Sequence, residues 1–459
     1  MNRHFGTDGV RGVAYSELTV QMAEALGFAA VTILGPRLLI GRDTRFSGPD
    51  LQLGLVRGIS AAGGQALLAE IIPTPAIAFL VREYGVDGGV VISASHNPPE
   101  HNGIKFFNSS GYKLSDAQEN LFEAALQNMV ALDQSVLVDD ERTTTGVADT
   151  NSELLIEASE RYIAHAVQVF AEQGYDLKGL KIVVDCAHGA ACQTSPETLK
   201  RLGADVIAIN AGHDGYDINV NCGSTDIKQL QEAVMTNAAD LGIAHDGDAD
   251  RLIIVDSEGS EIDGDYIKAI CAKHLKEQNR LVGDTVVSTV MANLGFIRAL
   301  EAMGINVVQT DVGDSKVLAA MLEGGYVLGG EQSGHIIFLE HNSTGDGLVS
   351  ALQLLVAMRY FDQPLYQLKQ IMKKYPQVMI NVEVSDKARV MASVRLITAV
   401  RAVEAELGNS GRVLLRPSGT EPKIRVMVEA QEQETAQNSA EKLASLVDEI
   451  QKEVSASVE

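Results

Sequence analysis

Apolar and polar positions fall into rounds along this chain, with short β-rich apolar runs exchanging with stretches of helical apolar spacing. From residue 19 to about 130, the runs Leu38-Leu39-Ile40, Ala66-Leu67-Leu68 and Gly89-Val90-Val91-Ile92 predict buried strands. The helical spacing between them predicts βα units around a largely parallel sheet. Residues 131–152 are polar and rich in Asp and Thr, and a long amphipathic helix is predicted from about Ser152 to Gln173, so a domain boundary is placed there. A second α/β unit follows, with strands at Lys181-Ile182-Val183-Val184-Asp185, from Asp205 to Ile209, and at Leu241-Gly242-Ile243-Ala244. A third round opens at Leu252-Ile253-Ile254-Val255, continues through Thr285-Val286-Val287-Ser288-Thr289-Val290, and ends in a helix from about Asp346 to Tyr360. Asp362-Gln363-Pro364 punctuates the next boundary. Beyond it the order changes: a strand over Ile380-Asn381-Val382-Glu383-Val384, a helix from Ser393 to Leu407, two strands flanking Arg416 to Pro422, and a terminal helix from about Glu434. That order predicts a small α+β layer. There is no low-complexity tract, and identity between the rounds is too weak to define a repeat.

At 459 residues the chain is too long for a single core, so several domains are expected. Apolar residues make up 46% and charged residues 21%, as in ordinary globular proteins, and no uncharged run reaches the length of a membrane helix. Lys and Arg total 37 against 61 Asp and Glu, a formal charge of -24. This opposes binding to nucleic acid or to an anionic bilayer, so an anionic ligand must be small and held by a few local cations. Cys186, Cys192, Cys222 and Cys271 lack paired C-x-x-C spacing and are too few for a disulfide scaffold, which predicts free thiols. Met1-Asn2-Arg3-His4 leads into a Gly-rich polar stretch without the apolar core of a secretory signal, so a cytoplasmic location is expected.

Against that background four loops carry chemistry. Ser93-Ala94-Ser95-His96-Asn97-Pro98-Pro99 follows an apolar strand and precedes Asn102-Gly103-Ile104-Lys105. Loops at the carboxyl ends of buried strands are where α/β sheets place ligands, and here a hydroxyl lies beside an imidazole and a lysine, making Ser95 a candidate nucleophile. A Ser or Asx turn leading into Pro98 explains the same residues if they stand alone. His245-Asp246-Gly247-Asp248-Ala249-Asp250-Arg251 places carboxylates at alternate positions, where they can converge on a hard cation such as Mg²⁺; a solvated acidic turn is the plainer alternative. An EF-hand is excluded, because Arg251 stands where that loop needs Gly and Ser257 where it needs Glu. A D-x-D-x-T phosphatase is disfavoured by Asp250 at the Thr position. Gly329-Gly330-Glu331-Gln332-Ser333-Gly334-His335 offers the carboxylate and hydroxyl that bond vicinal sugar hydroxyls, or else is a turn with a buried histidine. Arg416-Pro417-Ser418-Gly419-Thr420-Glu421-Pro422-Lys423-Ile424-Arg425 suits a phosphate monoester, or else is a hairpin with solvated charges.

Taken together with the opening Phe5-Gly6-Thr7-Asp8-Gly9-Val10-Arg11-Gly12, these motifs resemble the α-D-phosphohexomutase superfamily over the whole chain, and within it the bacterial-type phosphoglucosamine mutases. The resemblance implies an α/β fold of three consecutive mixed α/β domains plus a mobile C-terminal α+β domain around a central cleft. The domains are placed at 1–148 with the phosphoserine loop, 149–248 ending in the metal loop, 249–365 with the sugar loop, and 366–459 with the phosphate loop. It implies that Ser95 is the phosphoserine, that Asp246, Asp248 and Asp250 bind one Mg²⁺ per chain together with the Ser95 phosphate, and that Arg251 stands beside the metal loop. Glu331 and Ser333 match readers of sugar hydroxyls, and Arg416, Ser418, Gly419, Thr420 and Arg425 match the distal phosphate loop. Arg11, Lys105 and His335 match positions that move protons or stabilise charge; Lys105 or His335 serves as general base if its pKa falls near neutrality.

The activity so implied is interconversion of glucosamine 6-phosphate and glucosamine 1-phosphate, feeding amino-sugar nucleotide (UDP-N-acetylglucosamine) synthesis. A sugar 1,6-bisphosphate acts as intermediate and activator. The neighbouring alternative is a phosphoglucomutase/phosphomannomutase. The expected partner is a small hexosamine phosphate, with neither nucleic acid nor membrane, and a homodimer is compatible with the pattern. One departure is Ala249, where the family usually has Gly; a positive φ there would strain the loop.

Overall fold

The computed structural model describes residues 5–6, 8–136, 151–418 and 421–456. Gly419 and Thr420, and the boundary expected at 148/149, lie outside the described residues. Two compact units are present, one formed by Met1–Met291 with Ile305–Gln370 and one by Ala292–Gly304 with Ile371–Glu459.

The first unit carries three sheets. Seven strands form the first: β1 (Phe5–Gly6), β2 (Gly9–Val13), β3 (Arg37–Arg42), β4 (Gln65–Ile71), β5 (Gly88–Ile92), β6 (His101–Asn108) and β7 (Ser152–Leu154), in the order β1-β2-β6-β5-β3-β4-β7. Strands β3, β4, β5 and β7 run parallel, while the pairs β5–β6, β6–β2 and β2–β1 are antiparallel. The sheet is therefore mixed rather than largely parallel. Only residues 93–100 link β5 to β6, too few for the helical crossover that a parallel neighbour requires. Leu38, Ile40, Val90, Ile92 and Ile104 from this sheet pack against Leu26, Leu55 and Ile59 of the covering helices.

The second sheet comprises β8 (Lys181–Asp185), β9 (Asp205–Ile209), β10 (Leu241–Ala244), β11 (Ile253–Asp256) and β12 (Glu261–Ile262), ordered β12-β11-β10-β8-β9. Here the structure corrects a sequence expectation. The apolar run around Ile253 opens no third round; it turns back antiparallel beside β10, again because the connecting loop is short. The predicted helix from Ser152 is also corrected. Ser152–Leu154 instead pairs with Ala66–Leu68, where the sheet edge satisfies its backbone groups, and the helix spans Ala158–Ala171.

The third sheet has β13 (Thr285–Thr289), β14 (Asn306–Thr310), β15 (Leu328–Gly330) and β16 (Ile336–Phe338), ordered β14-β13-β15-β16 with β16 antiparallel. All three sheets thus place a motif loop at the same station, between a parallel strand and its antiparallel return. The helix Gly347–Phe361, capped by the Asp346 side chain, is buried on every face over most of its length, which explains its nearly unbroken apolar sequence.

In the second unit, β17 (Gln377–Glu383), β18 (Gly411–Pro417) and β19 (Lys423–Ala430) form an antiparallel sheet ordered β17-β19-β18, packed by the helices Val394–Leu407 and Gln433–Ala456. The helix Leu294–Ala302 belongs to this unit although it follows β13 in sequence. Its start is tied down by the fully buried Glu429 carboxylate, which accepts from the Leu294 backbone N–H at 3.0 Å, from Asn293 Nδ2 at 3.0 Å and from Arg412 Nε at 2.6 Å.

The four cysteines are unbridged. Among the described residues no helix is long and apolar enough to cross a membrane. His274 is buried against Tyr360 and Phe361, and burial, with Arg280 nearby, pushes its pKa down to about 4 from 6.5. An imidazole depressed in the folded state stabilises the protein above its unfolded pKa and loses that contribution as pH falls toward the folded value. The stability of the wild type relative to His274→Gln is therefore expected to fall between pH 7 and pH 5 in urea unfolding.

Candidate active site

The serine loop is built on buried charge. Ser95 is 1% exposed and adopts φ +52°, a left-handed conformation that a non-glycine residue rarely takes without outside support. Its N–H donates to Ser93 Oγ at 2.9 Å, and Ser93 Oγ donates to Asp43 at 2.6 Å. Arg45, fully buried, pairs with Asp43 at 2.9 Å and donates to the carbonyls of Ser95 (3.0 Å), Asn97 (2.8 Å), His101 (2.8 Å) and Pro98. Asp43 and Arg45 were not singled out from the sequence; the signal was a charged Arg42-Asp43-Thr44-Arg45 run at the carboxyl end of a buried strand. His96 Nδ1 lies 3.3 Å from Ser95 Oγ, and burial, with Arg251 and Arg11 nearby, pushes its pKa down to about 4.

Across from this loop, residues 245–252 connect β10 to β11. Ser95 Oγ donates to Asp246 Oδ2 at 2.5 Å. Asp248 Oδ2 accepts from Lys105 Nζ at 2.8 Å and from Thr74 Oγ1 at 2.6 Å, and Asp250 Oδ2 lies 3.4 Å from His335 Nδ1. All three aspartates are buried, and one oxygen from each lies within 4.8 Å of the others. Burial, then repulsion from Asp250 and Asp248, pushes Asp246 up to about 8. Burial also opposes ionisation of Asp250, but His335, Lys105 and Arg251 outweigh it and hold that carboxyl far below the usual range. Asp248 Oδ1 and Asp250 Oδ1 are buried without a hydrogen-bond donor. An all-oxygen donor set, mutual repulsion and two orphaned oxygens fit a hard divalent cation.

Ala249 adopts φ +58° between the second and third carboxylates, so the position does take the left-handed turn that raised the question of strain. Its N–H donates to Asp246 O at 3.0 Å, and its carbonyl accepts from Gly347 at 3.0 Å, which holds the turn. Ala249→Gly is expected to stabilise the protein by about 1 kcal/mol, seen as a higher urea midpoint at unchanged slope. His245 anchors the loop from beneath through Ser195 Oγ at 2.8 Å, and burial pushes its pKa down to about 4, which keeps it neutral.

A chain of alternating charges surrounds the triad. Asp8 pairs with Arg11, with Lys105 at 3.0 Å and with Lys113 at 2.5 Å, and Lys113 also pairs with Asp314. Burial opposes the charge on Lys105, but Asp248, Asp8 and Asp250 outweigh it and raise its pKa. The same contest raises His335, where Asp250 and Asp314 prevail over burial, while Gly345 N–H donates to His335 Nε2 at 3.1 Å. Lys105 therefore moves away from the neutrality a general base needs. The surroundings favour Lys105 as a cation, while the Gly345 N–H leaves His335 Nε2 as an acceptor. Lys113 and Asp314 were missed in the sequence because their partners are far apart in it, and Asp8, although three residues from Arg11, gives no local sign of its pairing with Lys105 and Lys113.

The sugar-loop motif is joined to the aspartate loop: Leu252 N–H donates to Gly334 O at 3.0 Å, and Arg251 and His335 form an antiparallel bridge. Glu331 accepts from Gly313 N–H at 3.1 Å and from Ser333 Oγ at 3.3 Å. Ser95, Arg11, Lys105, Arg251, His335, Glu331, Ser333 and the three aspartates thus all belong to the first unit. In the second unit, β18 and β19 set Arg416 directly opposite Arg425. Like charges at paired positions repel, which an anionic ligand would relieve. Ser418 Oγ accepts from Glu421 N–H at 3.2 Å, and Lys387 Nζ holds the Ser418 carbonyl at 2.6 Å.

Four family models match the chain in order: phosphoglucomutase/phosphomannomutase alpha/beta/alpha domain I over residues 2–131, domain II over 160–259, domain III over 263–375, and the C-terminal domain over 379–446. A phosphoglucosamine mutase of Desulforamulus reducens is 48% identical over 452 residues, covering 97% of this chain and 99% of that protein. Among solved structures, a phosphoglucomutase/phosphomannomutase family protein of Burkholderia thailandensis aligns with a TM-score of 0.77 at 22% identity, over 96% of this chain and 97% of that one. Aspergillus fumigatus N-acetylphosphoglucosamine mutase, in complex with GlcNAc-6P and magnesium, aligns at 0.71 and 18% identity, over 98% and 96%. The chain belongs to the phosphoglucomutase/phosphomannomutase family, on the branch of the phosphoglucosamine mutases.

Proposed function

We propose that this protein interconverts glucosamine 6-phosphate and glucosamine 1-phosphate, carrying the phosphoryl group on Ser95 and passing through a sugar 1,6-bisphosphate. The observation that carries this reading is the Ser95 hydroxyl 2.5 Å from Asp246 in a buried aspartate triad with orphaned oxygens. Asp246, Asp248 and Asp250 would hold one Mg²⁺, with an oxygen of the Ser95 phosphate completing the set. When bound, such an ion supplies charge neutralisation for the phosphoryl oxygens and the carboxylates.

The remaining work falls to the chain. As the phosphorus–oxygen bond to the attacking sugar hydroxyl forms, the bond to Ser95 Oγ breaks, and the hydroxyl proton ends on Oγ, where Asp246 already accepts from it. Lys105, Arg11 and Arg251 surround the transfer as cations, with His335 held against Asp250, which suits a reaction in which positioning and electrostatics dominate. Glu331 and Ser333 read the sugar hydroxyls, and Arg416, Ser418, Gly419, Thr420 and Arg425 hold the phosphate that is not reacting. The bisphosphate then turns, and its other phosphate returns to Ser95. Burial of Ser95 keeps water from hydrolysing the ester. The formal charge of -24 supports a small-molecule partner over a polyanion.

The test is a phosphorus-31 NMR time course with Mg²⁺ and a trace of sugar 1,6-bisphosphate, comparing glucosamine 6-phosphate with glucose 6-phosphate. Faster 1-phosphate formation from the amino sugar is expected. Preference for glucose would assign the phosphoglucomutase/phosphomannomutase alternative, and release of inorganic phosphate alone would replace transfer by hydrolysis.

A further inference from the structure

We propose that Asn219 is a positioning residue that holds the Ser95 loop in register with the aspartate triad from the opposite sheet. It lies in the segment after β9, in the second α/β round, whereas Ser95 belongs to the first. Its side-chain Nδ2 donates to Ser95 O at 2.9 Å and to Asn97 O at 3.2 Å. These are two of the carbonyls that Arg45 grips from the serine's own sheet, so the loop is held by a donor on each side. The amide orientation is dictated by its surroundings, since the reverse assignment would set its oxygen against two carbonyl oxygens.

Asn219 also touches the second loop. A side chain at Gly247, between Asp246 and Asp248, would place its Cβ 2.9 Å from Asn219 Nδ2 and 2.7 Å from Ser95 O. The amide therefore fills the seam where the serine and aspartate loops meet. The clamp is reciprocal, because Thr74 of the first round donates to the Asp248 carboxylate at 2.6 Å and to the Asp248 carbonyl at 3.0 Å. A neutral amide suits this seam, where a lysine would be drawn to the nearby carboxylates.

The consequence concerns Ser95's conformation. At φ +52° its backbone is sterically disfavoured, and its carbonyl must stay turned toward Arg45 and Asn219 for Oγ to face Asp246. Without the Asn219 donor the Ser95–His96 peptide gains freedom, and Oγ with its phosphate drifts from the aspartates. Misplacement by about 1 Å can cost about 100-fold in rate. This inference rests on the reading of Ser95 as the phosphoryl carrier.

Two variants of the full chain separate positioning from general damage. Asn219 itself adopts φ +61°, so Asn219→Gly keeps the backbone conformation and removes the donor, while Asn219→Asp keeps the size and turns an acceptor toward two carbonyls. With Mg²⁺ and sugar bisphosphate, kcat is expected to fall by about 10- to 100-fold in Asn219→Gly and further in Asn219→Asp, with KM for the sugar phosphate within about three-fold of wild type. The phosphorus-31 resonance of phosphoserine, formed with the bisphosphate, is expected to shift in Asn219→Gly, with a thermal midpoint lowered by no more than the few degrees that two lost hydrogen bonds account for. If Asn219→Asp does not fold, Asn219→Gly decides alone. Wild-type kcat in Asn219→Gly, or a loss confined to KM, overturns the inference while leaving the Ser95 reading intact. A wild-type protein that forms no phosphoserine overturns both.

Discussion

Ser95→Ala is expected to lower sugar-phosphate interconversion by at least about 10⁴-fold, to the background of the assay. No other group replaces the lost oxygen, because His96 is nitrogen-based and the nearby Ser93 hydroxyl is committed to Asp43 at 2.6 Å. Folding should survive. Alanine fits the same buried volume, its φ of +52° is no more strained than that of serine, and the single hydrogen bond to Asp246 contributes only about 1 kcal/mol. The thermal midpoint should therefore move by little while the phosphorus-31 phosphoserine signal disappears. Ordinary mutase activity in this variant would remove Ser95 from the mechanism.

The second large effect concerns the triad. Burial and two neighbouring carboxylates push Asp246 up to about 8, which favours its neutral form when no metal is bound. Asparagine is close in shape to that neutral acid. Asp246→Asn should thus leave metal-free stability nearly unchanged, a different outcome from the usual cost of altering a buried carboxylate. The difference emerges when Mg²⁺ is added. At 100 times its dissociation constant, an ion that binds only the folded state stabilises wild type by about 2.7 kcal/mol, and the variant should show no such gain at the same concentration. Chelation should return wild type to the variant's midpoint. Thermal unfolding with and without Mg²⁺ reads this independently of activity, and an equal Mg²⁺ shift in both proteins would place the ion elsewhere. Mutase activity of Asp246→Asn should fall by about 10³-fold, the size associated with losing transition-state charge stabilisation.

Asp246 also shows where a sequence reading stops. The alternation of carboxylates in Asp246, Asp248 and Asp250 is visible in the chain because a tight loop brings near neighbours together whatever surrounds it. The same holds for Ser95 after a buried strand and for the paired arginines about Pro417. Nothing local reveals that Lys105 is held as a cation, since the carboxylates responsible lie at positions 8 and 248. Nor does local pattern show Arg45, Thr74 or Asn219 as supports, because each acts through carbonyls or a carboxylate on a segment distant in sequence.

The fold divides along the same line. Apolar periodicity determined that Lys181–Asp185, Leu241–Ala244, Thr285–Thr289 and the helices Gly347–Phe361 and Val394–Leu407 exist, since burial of a face or a run is written in the order of side chains. Only the tertiary structure decided which strands are neighbours. Ile253–Asp256 could open a new sheet or close an old one with the same apolar residues, and Ser152–Leu154 could begin a helix or cover the edge of β4. Those choices depend on loop length and on which backbone donors and acceptors are left unpaired when the sheets assemble. The chain's own order therefore specified the reactive groups and most of the elements, while long-range hydrogen bonding and buried charge decided their register, their ionisation and the residues that hold them in place.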